Sequence, residues 1–296
     1  MASDVNAATS DRRLAVVGIA LTTALAVMTF APILYHMVLH WKQVPDYSHG
    51  FLVAPLAIYF AWAQKRKLRR APVQPSWWGL LPLGLGLLAL LVGRLGVELM
   101  SMRVGFVLTL HGLVLLLLGL PMYRILAFPL GFLFLMVPLP QSLVNLIAFP
   151  LQLGAADLAV SVLHSLDFPV LREGNIIHLP KAQLFVAEAC SGLRSLMALG
   201  TLGVVLAYFF QKNWVDRVII VASTIPIAVV INAFRVGLTS ILTLRYGMEM
   251  AEGVIHQTEG FFTFGLAFAL LLLESRLLDI FRRRRSARGK ISESPA

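Results

Sequence analysis

The chain contains 296 residues, of which 58% are hydrophobic and 14% are charged, and its formal net charge is +10. Soluble domains average about 45–50% apolar and about 25% charged residues, so this composition excludes a soluble globular protein and indicates a polytopic membrane protein. The positive charge is then expected on cytoplasmic loops beside anionic lipid, and not on a surface for nucleic acid. The single cysteine excludes an intrachain disulfide and a zinc site built from several cysteines.

A helix that crosses the hydrocarbon needs about 20 apolar residues, and about eight stretches of the chain meet that requirement. The first stretch is too long for a signal-peptide core and has no convincing cleavage site, so we expect a retained signal anchor. The expected fold is therefore an all-α membrane helical bundle. The predicted spans are residues 14–35, 49–64, 77–93, 104–120, 124–139, 191–210, 217–241 and 260–281.

Basic residues orient this bundle, because cytoplasmic loops carry an excess of lysine and arginine. With both termini in the cytoplasm, most of the 25 basic residues face that side, including the dense blocks at 65–70 and 276–290. The opposite orientation would translocate both blocks. Residues 140–189 and the loop before span 260–281 are then expected on the outer face.

The outer stretch 140–189 has two parts. Residues 141–166 are apolar with scattered polar side chains, which predicts one or two amphipathic or re-entrant helices. Residues 168–186 alternate in a β-like manner around Gly174 and Pro180, which predicts a small hairpin over the segment that follows. The expected domains are a membrane domain at 1–281 and a basic, disordered cytoplasmic tail at 282–296.

The first polar motif in chain order is Asp46-Tyr47-Ser48-His49-Gly50, on the outer side. One interpretation is that it lines a substrate entrance. The other is an ordinary interfacial turn with Tyr47 in the aromatic belt. His49, next to Asp46, is also a candidate general base.

Cys190 stands where a polar outer segment meets an apolar helix, between Glu188 and Ser191. Backbone N–H groups and the dipole at a helix start favour a thiolate, and exposed N–H groups can hold an oxyanion. The alternative is an inert buried thiol, which is a common fate of a free cysteine. The polar neighbours, Arg194 among them, favour a nucleophile.

Arg235 lies inside an apolar span, one turn after Asn232. A charge in a membrane helix costs about 2.5–3.5 kcal/mol on insertion scales, so it indicates a functional role. Such a guanidinium can stabilise a thiolate or a tetrahedral oxyanion. The alternative is that a long side chain extends to the outer headgroups.

A histidine is the usual general base beside a cysteine, and His256 is one candidate. Position alone does not single it out, because five other histidines are expected on the outer side. No histidine pair has the helical spacing with an intervening glutamate that marks a metalloprotease zinc site. The other outer histidines are His36, His40, His49, His164 and His178.

Together these motifs resemble the exosortase/archaeosortase family. Residues 46–53, Asp-Tyr-Ser-His-Gly-Phe-Leu-Val, resemble its amino-terminal signature, and the likeness extends from about residue 40 to residue 281. No key position departs from the family pattern. The three main motifs are Ala-Cys-Ser-Gly-Leu-Arg-Ser at 189–195, Asn-x-x-Arg at Asn232 and Arg235, and His-x-x-x-Gly-x-x-x-Phe at His256, Gly260 and Phe264.

The resemblance implies a cysteine protease or transpeptidase at the periplasmic face of the cytoplasmic (inner) membrane, working without metal or other cofactor through a thioester. Its substrates would be membrane-anchored proteins with a carboxy-terminal sorting signal: a Pro-Glu-Pro-like motif, a transmembrane helix and a basic tail. It assigns catalysis to Cys190, Arg235 and His256, and so selects His256 over His49. Substrate-binding or supporting roles fall to Glu188, Ser191, Arg194, Asn232, His49 and Tyr47.

Two other functions remain open on the residues alone. A transporter or an assembly factor for exported polysaccharide would place polar residues near the midplane, where His111 is the clearest one. A membrane acyltransferase would use a histidine-centred site without need of Cys190. The clustering of unusual polar residues at one face favours the cysteine enzyme.

Overall fold

The computed structural model describes residues 2–180, 182–186, 192–247 and 254–292. These ranges are almost entirely helical and form two compact units, Met1–Pro140 and Gln141–Ala296. The prediction of an all-α membrane bundle is confirmed. Within the described ranges, six segments are long and apolar enough to cross a membrane: Ala20–Gln43, Trp77–Leu95, Leu99–Met136, Gln141–Ser165, Trp214–Tyr246 and Gly260–Arg282.

Unit one contains five helices, counted over its described residues 2–140, and short 3-10 turns at Pro45–Tyr47, Trp77–Gly79 and Leu133–Met136. Helix α5 is the central element, because α1, α2 and α4 all pack against it. The helices are α1 (Ala2–Gln43), α2 (Gly50–Ala63), α3 (Lys65–Arg70), α4 (Leu80–Leu95) and α5 (Leu99–Phe132).

Helix α5 folds back on itself at Gly119, where φ is 76° and ψ is −179°. The ring of His111 lies 5.7 Å from that of Phe134, and its Nδ1 lies 3.0 Å from the hydroxyl of Tyr123. A straight helix would hold residues 111 and 134 about 35 Å apart. The two spans predicted at 104–120 and 124–139 are therefore two antiparallel arms, which count as one of the six long segments. Two other predicted spans, at 49–64 and 191–210, form shorter apolar helices, and the long segment at 141–165 is not among the predicted spans.

Gly119 is required by its conformation and by its surroundings. A Cβ at this position would overlap the carbonyl oxygen of Gln74, whose backbone N–H donates to the carbonyl of Leu118 at 3.1 Å. Gly119→Ala should lower stability by at least about 1–2 kcal/mol, since only glycine adopts a positive φ without steric cost. The measurement is thermal unfolding of the full chain in one detergent.

Gly131 provides the matched control. It lies in the second arm of α5, and no atom lies within 4 Å of a Cβ placed there. Gly131→Ala should leave the unfolding temperature unchanged or raise it, because alanine favours the helix. Equal unfolding temperatures for the two variants would show that the reversal at Gly119 tolerates a side chain.

Helices α4 and α5 approach closely through glycines. A Cβ on Gly86 would lie 2.7 Å from the carbonyl oxygen of Gly105, and one on Gly105 would lie 2.6 Å from that of Gly86. Small residues of this kind let membrane helices pack backbone to backbone. Glu98 caps α5, because its two carboxylate oxygens accept from the N–H groups of Met100 at 2.8 Å and Ser101 at 2.6 Å.

Unit two contains helix α6, a small sheet and three further helices within its described residues. The sheet is antiparallel with the order β1-β2-β3, pairing Leu171 with His178 and Ile176 with Phe185. The elements are α6 (Gln141–Ser165), β1 (Leu171–Glu173), β2 (Ile176–Leu179), β3 (Ala182–Phe185), α7 (Gly192–Phe210), α8 (Trp214–Tyr246) and α9 (Val254–Ser292).

Three expectations for unit two need revision. The predicted hairpin is a three-stranded sheet. The amphipathic or re-entrant helices expected at 141–166 are one continuous apolar helix, α6, because its few polar residues pair locally, as Gln141 does with Asn145 at 2.8 Å. The tail expected to be disordered from residue 282 begins as helix, since α9 continues to Ser292. The division into domains stays a prediction.

A group of polar contacts, here called the clasp, joins one end of α7, α8 and α9. Gln211 Nε2 donates to Ser275 Oγ at 2.9 Å, and Ser223 Oγ donates to a carboxylate oxygen of Glu274 at 2.5 Å. The guanidinium of Arg282 binds both carboxylate oxygens of Asp216, which is buried. The clasp fixes the register of the three helices.

Asp216→Asn should lower stability by about 2 kcal/mol, a value below the 3–5 kcal/mol of a fully buried pair because Arg282 is partly exposed. The measurement is again the unfolding temperature of the full chain. Asp157→Asn is the control, since Asp157 is exposed and pairs with Arg172 at 2.8 Å; its loss should cost less than about 1 kcal/mol. Equal losses would contradict a stabilising role for the clasp.

Candidate active site in unit two

The end of unit two opposite the clasp carries most of the predicted catalytic positions. At the helical rise of 1.5 Å per residue, the start of α7 and His256 each lie about 29 Å along their helices from the Gln211–Ser275 contact. Arg235 lies about 18 Å along α8 from the Ser223–Glu274 contact, hence roughly two turns deeper than His256. The three helices pack against one another.

Arg235 is half-buried on α8, and its backbone carbonyl accepts a hydrogen bond from Thr239 Oγ1 at 2.9 Å. Asn232, one turn earlier, is only 5% exposed. Its side-chain oxygen is buried and has no hydrogen-bond partner among the described residues. An unsatisfied buried amide is costly in an apolar helix, so Asn232 is a strong candidate to hold another polar group.

The sheet lies against this end of unit two. Val186, which follows β3, is fully buried in one cluster with Leu163 of α6, Ile177 of β2 and Val236 of α8. Val236 is the residue after Arg235. The chain that leads toward Cys190 is therefore anchored beside Arg235 at Val186 and continues as α7 from Gly192.

Several predicted residues lie outside the described ranges or have no described side chain. Cys190, Glu188 and Ser191 are outside those ranges. His256 lies in the first turn of α9, where only its backbone position is described. Arg194 is exposed in the first turn of α7. Their roles stay predictions.

An apolar groove of about 450 Å³ runs between α6 and α8 at the level of Arg235, which does not line it. Ala233 and Gly237 line it on α8, and nothing lies within 4 Å of a Cβ on Gly237. Leu158, Val162 and Leu166 line the opposite side on α6. The groove is thus open and apolar, at a position where small residues permit close helix contact.

Tyr47 and His49 belong to unit one and are both buried there. The Tyr47 hydroxyl donates to the carbonyl of Leu139 at 3.3 Å. The ring nitrogens of His49 lie 3.2 Å from the carbonyls of Asp46 and Leu135. These contacts indicate that both side chains hold the 45–49 turn against the end of α5.

Arg103 is a residue that sequence reasoning missed. It is 7% exposed, lies in the second turn of α5 and is close enough to Tyr47 and His40 to act on both electrostatically. The available signal was Glu98, which caps the helix five positions upstream of Arg103. Reading Glu98 as the cap would have extended the predicted span at 104–120 to include an arginine.

A family model described as transmembrane exosortase matches residues 41–273, a range that includes every motif discussed above. No curated protein matches the chain, and no solved structure matches it. The match covers most of the chain and both of its units. The chain therefore belongs to the transmembrane exosortase family.

Proposed function

We propose that this chain is a membrane-embedded cysteine protease or transpeptidase that removes the carboxy-terminal sorting signal of exported, membrane-anchored proteins. The main support is the arrangement of Arg235, the start of α7 and the start of α9 at the end of unit two opposite the clasp. Family membership supports the general class of protein.

The nucleophile in this proposal is Cys190. An extended chain spans at most about 3.6 Å per residue, so Cys190 lies no farther than roughly 14 Å from Val186 and 7 Å from Gly192. Val186 packs with Val236, the neighbour of Arg235. Cys190 also stands just before α7, whose N-terminal end favours a thiolate.

The proposed reaction has two stages. The thiolate sulfur attacks the scissile carbonyl carbon, and Arg235 stabilises the negative charge on the thiolate or on the tetrahedral oxygen. The C–N bond then breaks as His256 gives a proton to the leaving amine. The resulting thioester is attacked by water or an amine whose proton passes to His256, and the thiolate is released.

Supporting residues are assigned around this centre. Asn232, whose side-chain oxygen is buried without a hydrogen-bond partner among the described residues, would accept a hydrogen bond from Arg235. Glu188, Ser191 and Arg194 flank the cysteine in sequence, where they would orient the substrate or the α7 entrance. Tyr47 and His49 shape the outer turn of unit one.

The membrane setting is also part of the proposal. Both termini lie in the cytoplasm and the site faces the periplasm across the inner membrane, as the basic residues favour. A substrate helix in the same bilayer keeps its cleavage motif at headgroup depth, which lowers the entropic cost of encounter.

The test uses the purified full chain in lipid nanodiscs with a tagged protein bearing a Pro-Glu-Pro-like tail. We expect release of the carboxy-terminal helix and a transient, hydroxylamine-sensitive adduct on Cys190 in intact-mass spectra. Cleavage without an adduct on Cys190 would contradict the covalent mechanism. An intact substrate would instead favour the transporter or assembly-factor hypothesis, and acyl transfer from a lipid donor would favour an acyltransferase.

A further inference from the structure

Arg103 presents an unexplained buried charge in unit one. Its side chain is 7% exposed, and its Nε atom is buried with no hydrogen-bond partner among the described residues. Arginine is always ionised, and burying a charge without a partner is strongly unfavourable. A position like this in a membrane-spanning helix indicates a function or a missing ligand.

Among the described residues, one carboxylate acts on Arg103, and it leaves the Nε donor without a hydrogen bond. Glu98 is the carboxylate that acts on Arg103, but both of its oxygens already accept hydrogen bonds from the α5 backbone. Tyr47 also acts on it, yet burial raises the pKa of the Tyr47 hydroxyl, so this group stays neutral. The remaining neighbour is His40, whose ring lies 5.2 Å from that of Tyr47 and carries no negative charge.

We propose that Arg103, together with Tyr47 and His40, forms a binding site for one carboxylate of a peptide ligand. This inference rests on the proposed function in one respect, because it identifies the peptide as part of the substrate protein. A carboxylate presents two coplanar oxygens that match the guanidinium fork, and the pairing neutralises the buried charge. The Tyr47 hydroxyl already donates to the carbonyl of Leu139, so Tyr47 lines the site and orders the turn beside it without binding the carboxylate.

The burial of Arg103 favours a carboxylate over a lipid phosphate. Arg103 lies five residues after Glu98, about 7.5 Å along the helix from this capping residue. A carboxylate at the end of a short flexible stem can reach that depth between side chains. A phosphodiester is substituted on both sides and needs an open groove.

The experiment measures binding without cleavage. The full chain carrying Cys190→Ala is placed in nanodiscs of zwitterionic lipid and titrated with a tagged substrate protein. The substrate is used as such and with each Asp replaced by Asn and each Glu by Gln, one at a time. One replacement should weaken binding about tenfold or more, the effect of losing a charge-assisted hydrogen bond.

The Arg103 variants then locate the effect. In the Arg103→Gln protein, the substrate replacement that weakens binding to the parent protein should cause no further loss of affinity. In the Arg103→Lys protein, the same replacement should still cause part of that loss. Arg94→Gln is the matched control, because Arg94 is exposed at the end of α4 and its loss removes the same charge. It should behave as the parent protein.

Each outcome is decisive. If no single replacement in the substrate weakens binding to the protein with intact Arg103, the proposal is wrong, and this result does not depend on how Arg103→Gln folds. Equal losses for Arg103→Gln and Arg94→Gln would also overturn it. In a second set of nanodiscs that contain phosphatidylglycerol, binding of this lipid that needs Arg103, with no carboxylate effect, would assign the site to lipid. If loss of one substrate carboxylate weakens binding but the wild-type protein cleaves no substrate, the binding site is supported and the proposed function is wrong.

Discussion

Replacing Cys190 with alanine should abolish release of the carboxy-terminal helix from a substrate, by more than about 1,000-fold. The reason is that the proposed reaction runs through a bond to the Cys190 sulfur, and no other thiol exists in the chain. Because Cys190 is the only cysteine, any residual cleavage cannot come from a second thiol. The measurement is the amount of cleaved substrate on co-expression with wild type or variant.

Cys190→Ser separates chemistry from folding. Serine preserves the size and polarity of the side chain but is a much weaker nucleophile without strong activation, so its activity should also be nearly absent. Both variants should unfold at the wild-type temperature and bind substrate as tightly. Equal cleavage by all three proteins would remove Cys190 from the mechanism and favour a histidine-centred reaction.

Much of the membrane architecture was predictable from hydropathy, and the exceptions have physical causes. The spans at 104–120 and 124–139 were correctly separated because Pro121 and the residues around it interrupt the apolar pattern. One or two amphipathic or re-entrant helices were predicted at 141–166, and the membrane-spanning length of α6 was missed. Scattered polar residues suggest an amphipathic helix even when they pair locally, as Gln141 does with Asn145.

The candidate site was predictable only in part. Arg235 and Asn232 stood out because a polar pair in an apolar span has a recognisable cost. The choice of His256 required a family resemblance, because several outer histidines are equivalent by position. Arg103 escaped notice because it falls next to the edge of a predicted span, where charges are common. Its burial depends on contacts with distant parts of the sequence, which no local pattern contains.

Arg235→Gln should reduce cleavage about 10²- to 10³-fold with little change in substrate binding, because the guanidinium acts mainly on charge that develops during the reaction. Arg235→Lys should be intermediate, since lysine retains the charge but not the planar fork. Arg245→Gln is the matched control. Arg245 is exposed in the last turn of the same helix, so its loss should leave cleavage within about twofold of wild type.

The same variants distinguish the two tasks proposed for Arg235. If the guanidinium stabilises the Cys190 thiolate, Arg235→Gln should shift the pH profile of iodoacetamide alkylation to higher pH, because the thiolate loses a favourable charge. If it stabilises the tetrahedral oxyanion, alkylation is unchanged and only kcat falls. The approximately two-turn offset between Arg235 and the start of α7 along their helices favours the second outcome. Full activity in Arg235→Lys, with loss only of stability in Arg235→Gln, would identify Arg235 as a membrane anchor instead.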